Sequence, residues 1–191
     1  MGRTRRFDEG AALEQATELF WRRGYAATTY PILEAQTGIS GRSLIHCFGD
    51  KEALFLKVLK KYSADVGERL AKQVYRGSKS IVAFFQSLAE APADSPLNGG
   101  CLMVNTLGEL GTVPVLEDAV RAFRAQLLAF FADNLRVDGI AKPQQKAELL
   151  LALLWGSSTQ IRSSGSVTAL KPVVSALKQT LSAWQQQATK T

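Results

Sequence analysis

The chain has 191 residues, 46% of them apolar, and carries a formal net charge of +6 with a pI near 9.5. That length suits one ordinary domain or a small domain joined to a medium one, and the apolar share suffices for a sizeable core. The longest apolar run, Leu149 to Trp155, is far too short to span a membrane, and two cysteines are too few for a disulfide scaffold, so a cytoplasmic protein without a membrane partner is expected.

Charge and helical signals can be followed along the chain. Residues 1–61 carry ten Lys/Arg against seven Asp/Glu, and residues 62–191 carry thirteen against ten. Each part is +3, so the shorter N-terminal part is the denser. Arg3, Arg5 and Arg6 precede the first acidic residue, as in a basic arm that meets a groove or phosphates. The first helix is predicted from Phe7 or Asp8 to Arg23, with Ala12, Leu13, Ala16, Leu19 and Phe20 in one stripe. Asp8 and Glu9 suit its positive end, Arg22 and Arg23 its negative end, and Gly24 stops it.

Two short helices follow, Tyr30–Gln36 and Gly41–Cys47. Thr29 is the expected cap of the first, and Pro31 fits its first turn. Thr37-Gly38-Ile39 is a tight turn in which the glycine takes the left-handed conformation. Ser40 caps the next helix. Ile32, Ala35, Ile39, Leu44 and Phe48 are spaced to pack both short helices on the first. Two short helices joined by a three-residue turn with a central glycine form a helix-turn-helix. Arg42, Ser43 and His46 then lie on the outer side of the second short helix. Arg42 can pair with guanine or phosphate, and Ser43 with either class of site. Thr28 and Thr29 are candidate phosphate donors, and Lys51 at the start of the next helix a candidate phosphate clamp.

The remainder reads as a long connecting helix, Lys51–Tyr75, and five more: Ser80–Ala91, Cys101–Leu110, Pro114–Arg136, Pro143–Ser164 and Thr168–Gln187. No two-residue alternation argues for strands, so the fold class is all-α. Residues 1–54 are expected to form the helix-turn-helix domain and residues 55–191 a helical effector-binding and dimerisation domain.

The stretch Ala11–Leu54 closely resembles the N-terminal domain of the tetracycline-repressor (TetR/AcrR) family of bacterial regulators. The matching elements are Ala16-Thr17-Glu18-Leu19-Phe20, Arg23-Gly24-Tyr25, Ala27-Thr28-Thr29, Thr37-Gly38-Ile39-Ser40, Ser43-Leu44 and Phe48-Gly49-Asp50-Lys51-Glu52-Ala53-Leu54. The resemblance implies a homodimer bound to double-stranded operator DNA, released when an inducer in the C-terminal domain alters the separation of two reading heads. With it, the candidate DNA contacts are Arg3, Arg5, Arg6, Thr28, Thr29, Ser40, Arg42, Ser43, His46 and Lys51. The family commonly has Tyr, with its hydroxyl on phosphate, where this chain has Ile45. That contact does not carry over, and His46 is the alternative polar group.

In the C-terminal part, Leu149 to Trp155 is apolar on nearly all faces, which suits burial against both its own domain and a partner. With Leu170, Val174, Leu177, Leu181 and Trp184 it is expected to build a four-helix homodimer interface through the last two long helices. Phe84, Phe85, Met103, Leu107, Phe123, Leu127, Phe130 and Trp155 are candidates for an effector pocket, or else simple core. Cys101 follows Asn98-Gly99-Gly100 at a helix start, where the dipole favours thiolate. It is a candidate redox or electrophile sensor, or else a small core residue. Cys47, in the reading helix, has the same two readings.

Other function classes fit less well. His46 is the chain's one histidine, and its neighbour Cys47 faces another direction on the helix, so Cys–His catalysis lacks a pair. Two Cys and one His offer no paired metal-ligand spacing, and no phosphate-cradling glycine loop or Gly-x-Ser-x-Gly elbow is present. An enzyme is not expected, and no cofactor or metal is implied. A protein-interaction module without DNA remains the rival reading.

Overall fold

The first helix begins where a carboxylate can hold its open amides. Asp8 is extended and accepts a hydrogen bond from the Ala11 amide at 3.0 Å, so α1 spans Glu9–Arg23 and Asp8 is its cap, not its first residue. The structure, a computed structural model, describes residues 7–111 and 114–189, without the side chain of Val115. The Arg3, Arg5 and Arg6 arm lies outside the described residues.

Ala12, Ala16 and Phe20 bury the α1 stripe, with Leu13 and Leu19 at its half-buried edges. Helix α2 (Tyr30–Thr37) and helix α3 (Gly41–Phe48) are joined through Gly38, whose φ of 68° is the left-handed turn that L side chains resist. Ser40 caps α3 by accepting from the Ser43 amide at 3.3 Å. Thr29 sits at the cap position of α2 in an extended conformation, but its hydroxyl makes no capping bond. The α2 face also differs from expectation: Leu33 is fully buried, Ile32 is only partly so, and Ala35 is exposed. In a helix of eight residues periodicity leaves the inward face uncertain by one position, and the bulkier leucine takes it.

Helix α4 (Lys51–Ala71) is capped by Asp50, which accepts from the Ala53 amide at 2.8 Å. It stops four residues short of the predicted end at Tyr75. Leu70 is its last buried apolar residue, whereas Val74 and Tyr75 are 91% and 58% exposed, so the final turn has nothing to pack against. Helix α5 (Ser78–Ala89) starts earlier than predicted because the Asp138 carboxylate accepts from the Ser78 amide at 2.7 Å. A short 3₁₀ turn, Pro96–Gly99, leads to α6 (Leu102–Leu110), then come α7 (Pro114–Val137) and α8 (Pro143–Ser164). The last predicted helix is split: Val167–Leu170 is a 3₁₀ turn and α9 is Lys171–Ala188. Pro172, with no amide hydrogen to donate back along the chain, forces the fresh start.

All regular elements among the described residues are helical. Helix α1 packs on α4, α4 on α7, α7 on α8, and α5 on both α7 and α9. One core runs through the whole. Trp21 meets Tyr62 edge-on at 5.0 Å between ring centroids, and Tyr62 lies 5.7 Å from Phe123, so aromatic contacts lead from the helix-turn-helix into the C-terminal helices.

Candidate DNA-reading surface and effector cavity

The outward face of α3 is the reading surface. Arg42, Ile45 and His46 are exposed on it, while Gly41, Leu44 and Phe48 face inward. Ser43 is half-buried, and its hydroxyl lies 3.0 Å from that of Ser40, so both are partly occupied with each other. The Glu34 carboxylate accepts from the Gly41 amide and fixes α3 on α2. The exposed apolar Ile45 and basic Arg42 lie one turn apart on this face, offering contacts to methyl groups and to acceptors.

Two predicted phosphate contacts take a different form. Thr28 is fully buried and its hydroxyl donates to the Gly24 carbonyl at 2.7 Å; this internal bond closes the loop before α2, and the side chain is not available to DNA. Thr29, next to it, is exposed. Lys51 stands at the first turn of α4, with its ammonium 4.3 Å from the Tyr25 ring centre and 3.5 Å from the Ala26 carbonyl. Burial pushes its pKa down, and Glu109 pulls it back up. It is a cation held at the edge of the head, already leaning on an aromatic face.

A cavity of about 50 Å³ lies between α4, α5, α7 and α8. Of the residues predicted to line a pocket, Phe84, Phe123, Leu127 and Trp155 do so. Phe85, Met103, Leu107 and Phe130 do not: Phe85 and Met103 are wholly buried in the core, and Phe130 packs its ring on Phe84 and Phe131. Tyr62, Arg69, Cys101, Ser157 and Ser158 supply polar groups to the wall, and further apolar residues fill it. Cys101 was read as a candidate sensor, whereas the other four were missed because they are polar residues on two separate helices with no common spacing. Only their meeting in space marks them.

Cys101 sits at the N-cap of α6, with its backbone extended and its amide donating to the Ser158 hydroxyl oxygen at 2.7 Å. The Tyr62 hydroxyl donates to its sulfur at 3.1 Å. Of the two sequence readings, the buried setting favours the small core residue over a ready thiolate. The Tyr62 hydroxyl and the amides of Val104 and Met103 do favour the anion, as a helix start should, but burial outweighs them and pushes the thiol pKa up. Tyr62 is itself pushed well above the ordinary phenol range, first by burial and then by Cys101. Cys47 is half-buried against the core, and burial together with Glu9 raises it too.

Helix α6 joins the two regions. Its last turn carries Glu109, which accepts from the amides of Tyr25 and Ala26 at 2.8 and 2.6 Å. At Gly24 (φ 83°) a Cβ would lie 2.5 Å from this carboxylate, so the glycine permits the approach. At the other end, the Trp21 indole N–H of α1 donates to the Gly100 carbonyl, beside Cys101, at 2.6 Å.

Val174, Leu177 and Leu181 of α9, with Leu170 before it, are buried within the chain, and Leu177 also lines a groove on the outside. Beside Leu177 that groove is lined by Leu149, Leu150, Leu153, Pro172, Val173, Ala176, Thr180 and Trp184, with Leu149 56% exposed.

No helix among the described residues is long and apolar enough to cross a membrane, and none of their His, Cys, Asp and Glu side chains gather in a metal-holding group. A family model described as bacterial regulatory proteins, tetR family, matches residues 12–58. The chain is 28% identical over 184 residues to the HTH-type transcriptional repressor ComR of Escherichia coli (strain K12), covering 90% of this chain and 88% of that protein. It is 33% identical over 132 residues to the uncharacterized HTH-type transcriptional regulator YezE of Bacillus subtilis (strain 168), 66% of each chain. A solved structure of a cysteine-substituted CifR, a TetR family transcriptional regulator complexed with a 26-base-pair double-strand operator DNA, aligns with a TM-score of 0.79 and 27% identity over 96% of this chain and 100% of that one.

Proposed function

The chain belongs to the TetR family of bacterial regulators, and from that premise we propose that it is a DNA-binding transcriptional repressor whose operator complex is released by a small molecule entering the α4–α8 cavity. The observation that carries the reading is the outward face of α3, where Arg42, Ile45 and His46 stand exposed on a helix locked by the Gly38 turn, the Ser40 cap and Glu34. Arg42 and His46 approach base edges, with Ser43 beside them, and Thr29, Ser40 and Lys51 meet the backbone; Arg3, Arg5 and Arg6 would extend the contact. Residues 1–54 serve as the reading head and residues 55–191 as the sensing and pairing unit.

Pairing brings two heads onto one operator. The apolar groove along Leu149, Leu153, Val173 and Trp184 supports a homodimer through α8 and α9. Release follows from the α6 connection: a ligand that displaces the cavity wall near Cys101 moves a helix whose far end grips Tyr25 and Ala26.

The test is a gel shift with DNA from upstream of the chain's own gene, titrated with salt. Specific binding that weakens with salt is expected. Arg42→Ala is expected to weaken operator binding by about tenfold or more, with little change in thermal stability. Absence of binding to that DNA at low salt, in a folded wild-type chain, would overturn the reading.

A further inference from the structure

The cavity wall is mostly apolar, but it carries two hydrogen-bond donors without a partner and no carboxylate to receive them. Arg69 lines it, half-buried, and among the described residues its guanidinium has no hydrogen bond or ion pair. The carboxylates nearest to it along α4 are engaged elsewhere: Asp65 with Lys61 at 2.8 Å, and Glu68 with Lys72 at 3.2 Å. No Asp or Glu lines the cavity. Trp155 lines it too, and its indole N–H is buried without an acceptor. An indole nitrogen can only donate, as can a guanidinium. Half-buried positive charge and an unmet buried donor both cost free energy until an acceptor arrives.

The rest of the wall is largely apolar and partly aromatic, with Phe84, Phe123 and Leu127 lining the same cavity as Tyr62, Cys101, Ser157 and Ser158. A volume of about 50 Å³ holds roughly four water-sized groups, so the occupant is small, or it pushes the wall apart as it enters. We propose that the effector is a small organic carboxylate with a single ring or short apolar body. Its carboxylate pairs with Arg69, and its body lies against Phe84, Phe123 and Trp155. A planar guanidinium binds a carboxylate through two parallel bonds, a geometry that a neutral ligand cannot match. The inference rests on the reading of this cavity as the effector site, and it adds the sign and class of the ligand.

Benzoate and phenylacetate, compared with benzamide and phenylacetamide at matched ionic strength, provide the test. Thermal unfolding of the full chain is expected to shift upward with either acid, and the amides are expected to need about tenfold higher concentration or more for the same shift. Arg69→Gln is expected to abolish the preference for acid over amide, and Arg69→Lys to keep part of it. Equal shifts with acids and amides, no shift with either acid at millimolar concentration, or an undiminished acid preference in Arg69→Gln would each overturn the inference. If Arg69→Gln does not fold, the wild-type comparison decides alone. A gel shift with the operator then separates the two readings. A chain that holds its operator yet ignores the acids refutes only the ligand class. One that binds acids through Arg69 but never binds DNA refutes the repressor. Acids that bind through Arg69 and leave the operator complex intact refute the assignment as effector.

Discussion

In the reading head, Phe20, Leu33, Leu44 and Leu54 are each at most 1% exposed, and the side chains available for chemistry point outward. In the sensing domain the arrangement is inverted: Arg69, Tyr62 and Cys101 line a cavity, where the Tyr62 hydroxyl meets the Cys101 sulfur. A DNA reader has to keep a fixed shape while its partner is large and external. A sensor has to keep room inside and remain able to change. The solid core and the hollow one are two answers to these demands, joined by α6 and the Trp21–Tyr62 contact.

The largest expected effect tests whether the head is in fact the more tightly packed. Phe20 is completely buried and packs on Phe55 at 4.9 Å and Tyr25 at 6.2 Å between ring centroids. Phe20→Ala is expected to cost about 3–5 kcal/mol, read by urea denaturation. Phe84 has the cavity on one side, so Phe84→Ala is expected at or below the lower end of that range, because fewer contacts are lost. A larger loss for Phe84→Ala than for Phe20→Ala would break the contrast.

The same contrast explains what could be read from the sequence. The head is built from local signals: a cap such as Ser40 three residues from the amide it holds, a glycine such as Gly38 at a positive-φ turn, charges sorted to helix ends. These lie within a few residues of each other, so the three helices and most of the reading face were legible. Thr28 was misplaced because nothing in its neighbours shows that its hydroxyl turns back to Gly24. The cavity depends on contacts far apart in the chain, such as Tyr62 with Cys101 or Cys101 with Ser158. The helical spacing of large apolar residues found four lining residues but could not separate Phe84, on the wall, from Phe85, in the core. Likewise, helical periodicity found the apolar residues of α9 without showing that Val174, Leu177 and Leu181 face their own chain.

A smaller effect tests the join. Glu109 accepts two amide bonds from the loop after α1, in an exposed setting. Glu109→Ala is expected to cost about 1 kcal/mol, since charge-assisted bonds lose much of their strength to water at a surface. Hydrogen exchange should show it locally: the Tyr25 and Ala26 amides exchange faster, while those within α3 and α8 keep their protection. If all three regions change together, α6 is merely part of one rigid body. If none changes, the carboxylate does not hold the head.

The smallest effect concerns the hollow itself. Burial keeps Cys101 and Tyr62 protonated beyond their ordinary ranges. Each is an acid whose folded-state pKa is raised, so its contribution to stability is complete below the unfolded-state pKa and is lost as pH rises through the folded-state value. Thermal stability is therefore expected to decline on the alkaline side. The Tyr62 hydroxyl opposes this trend at Cys101, because its donated bond favours the thiolate. Tyr62→Phe removes that donor while keeping the ring against Trp21 and Phe123. The Cys101 pKa is then expected to climb further, and alkylation of Cys101 by iodoacetamide at fixed pH, followed in a Cys47→Ser background, is expected to slow a few-fold. The pH at which labelling accelerates should move up by the same cause. Faster labelling in Tyr62→Phe would mean that the hydroxyl shields the sulfur physically. In that case access, and not protonation, would keep the thiol quiet.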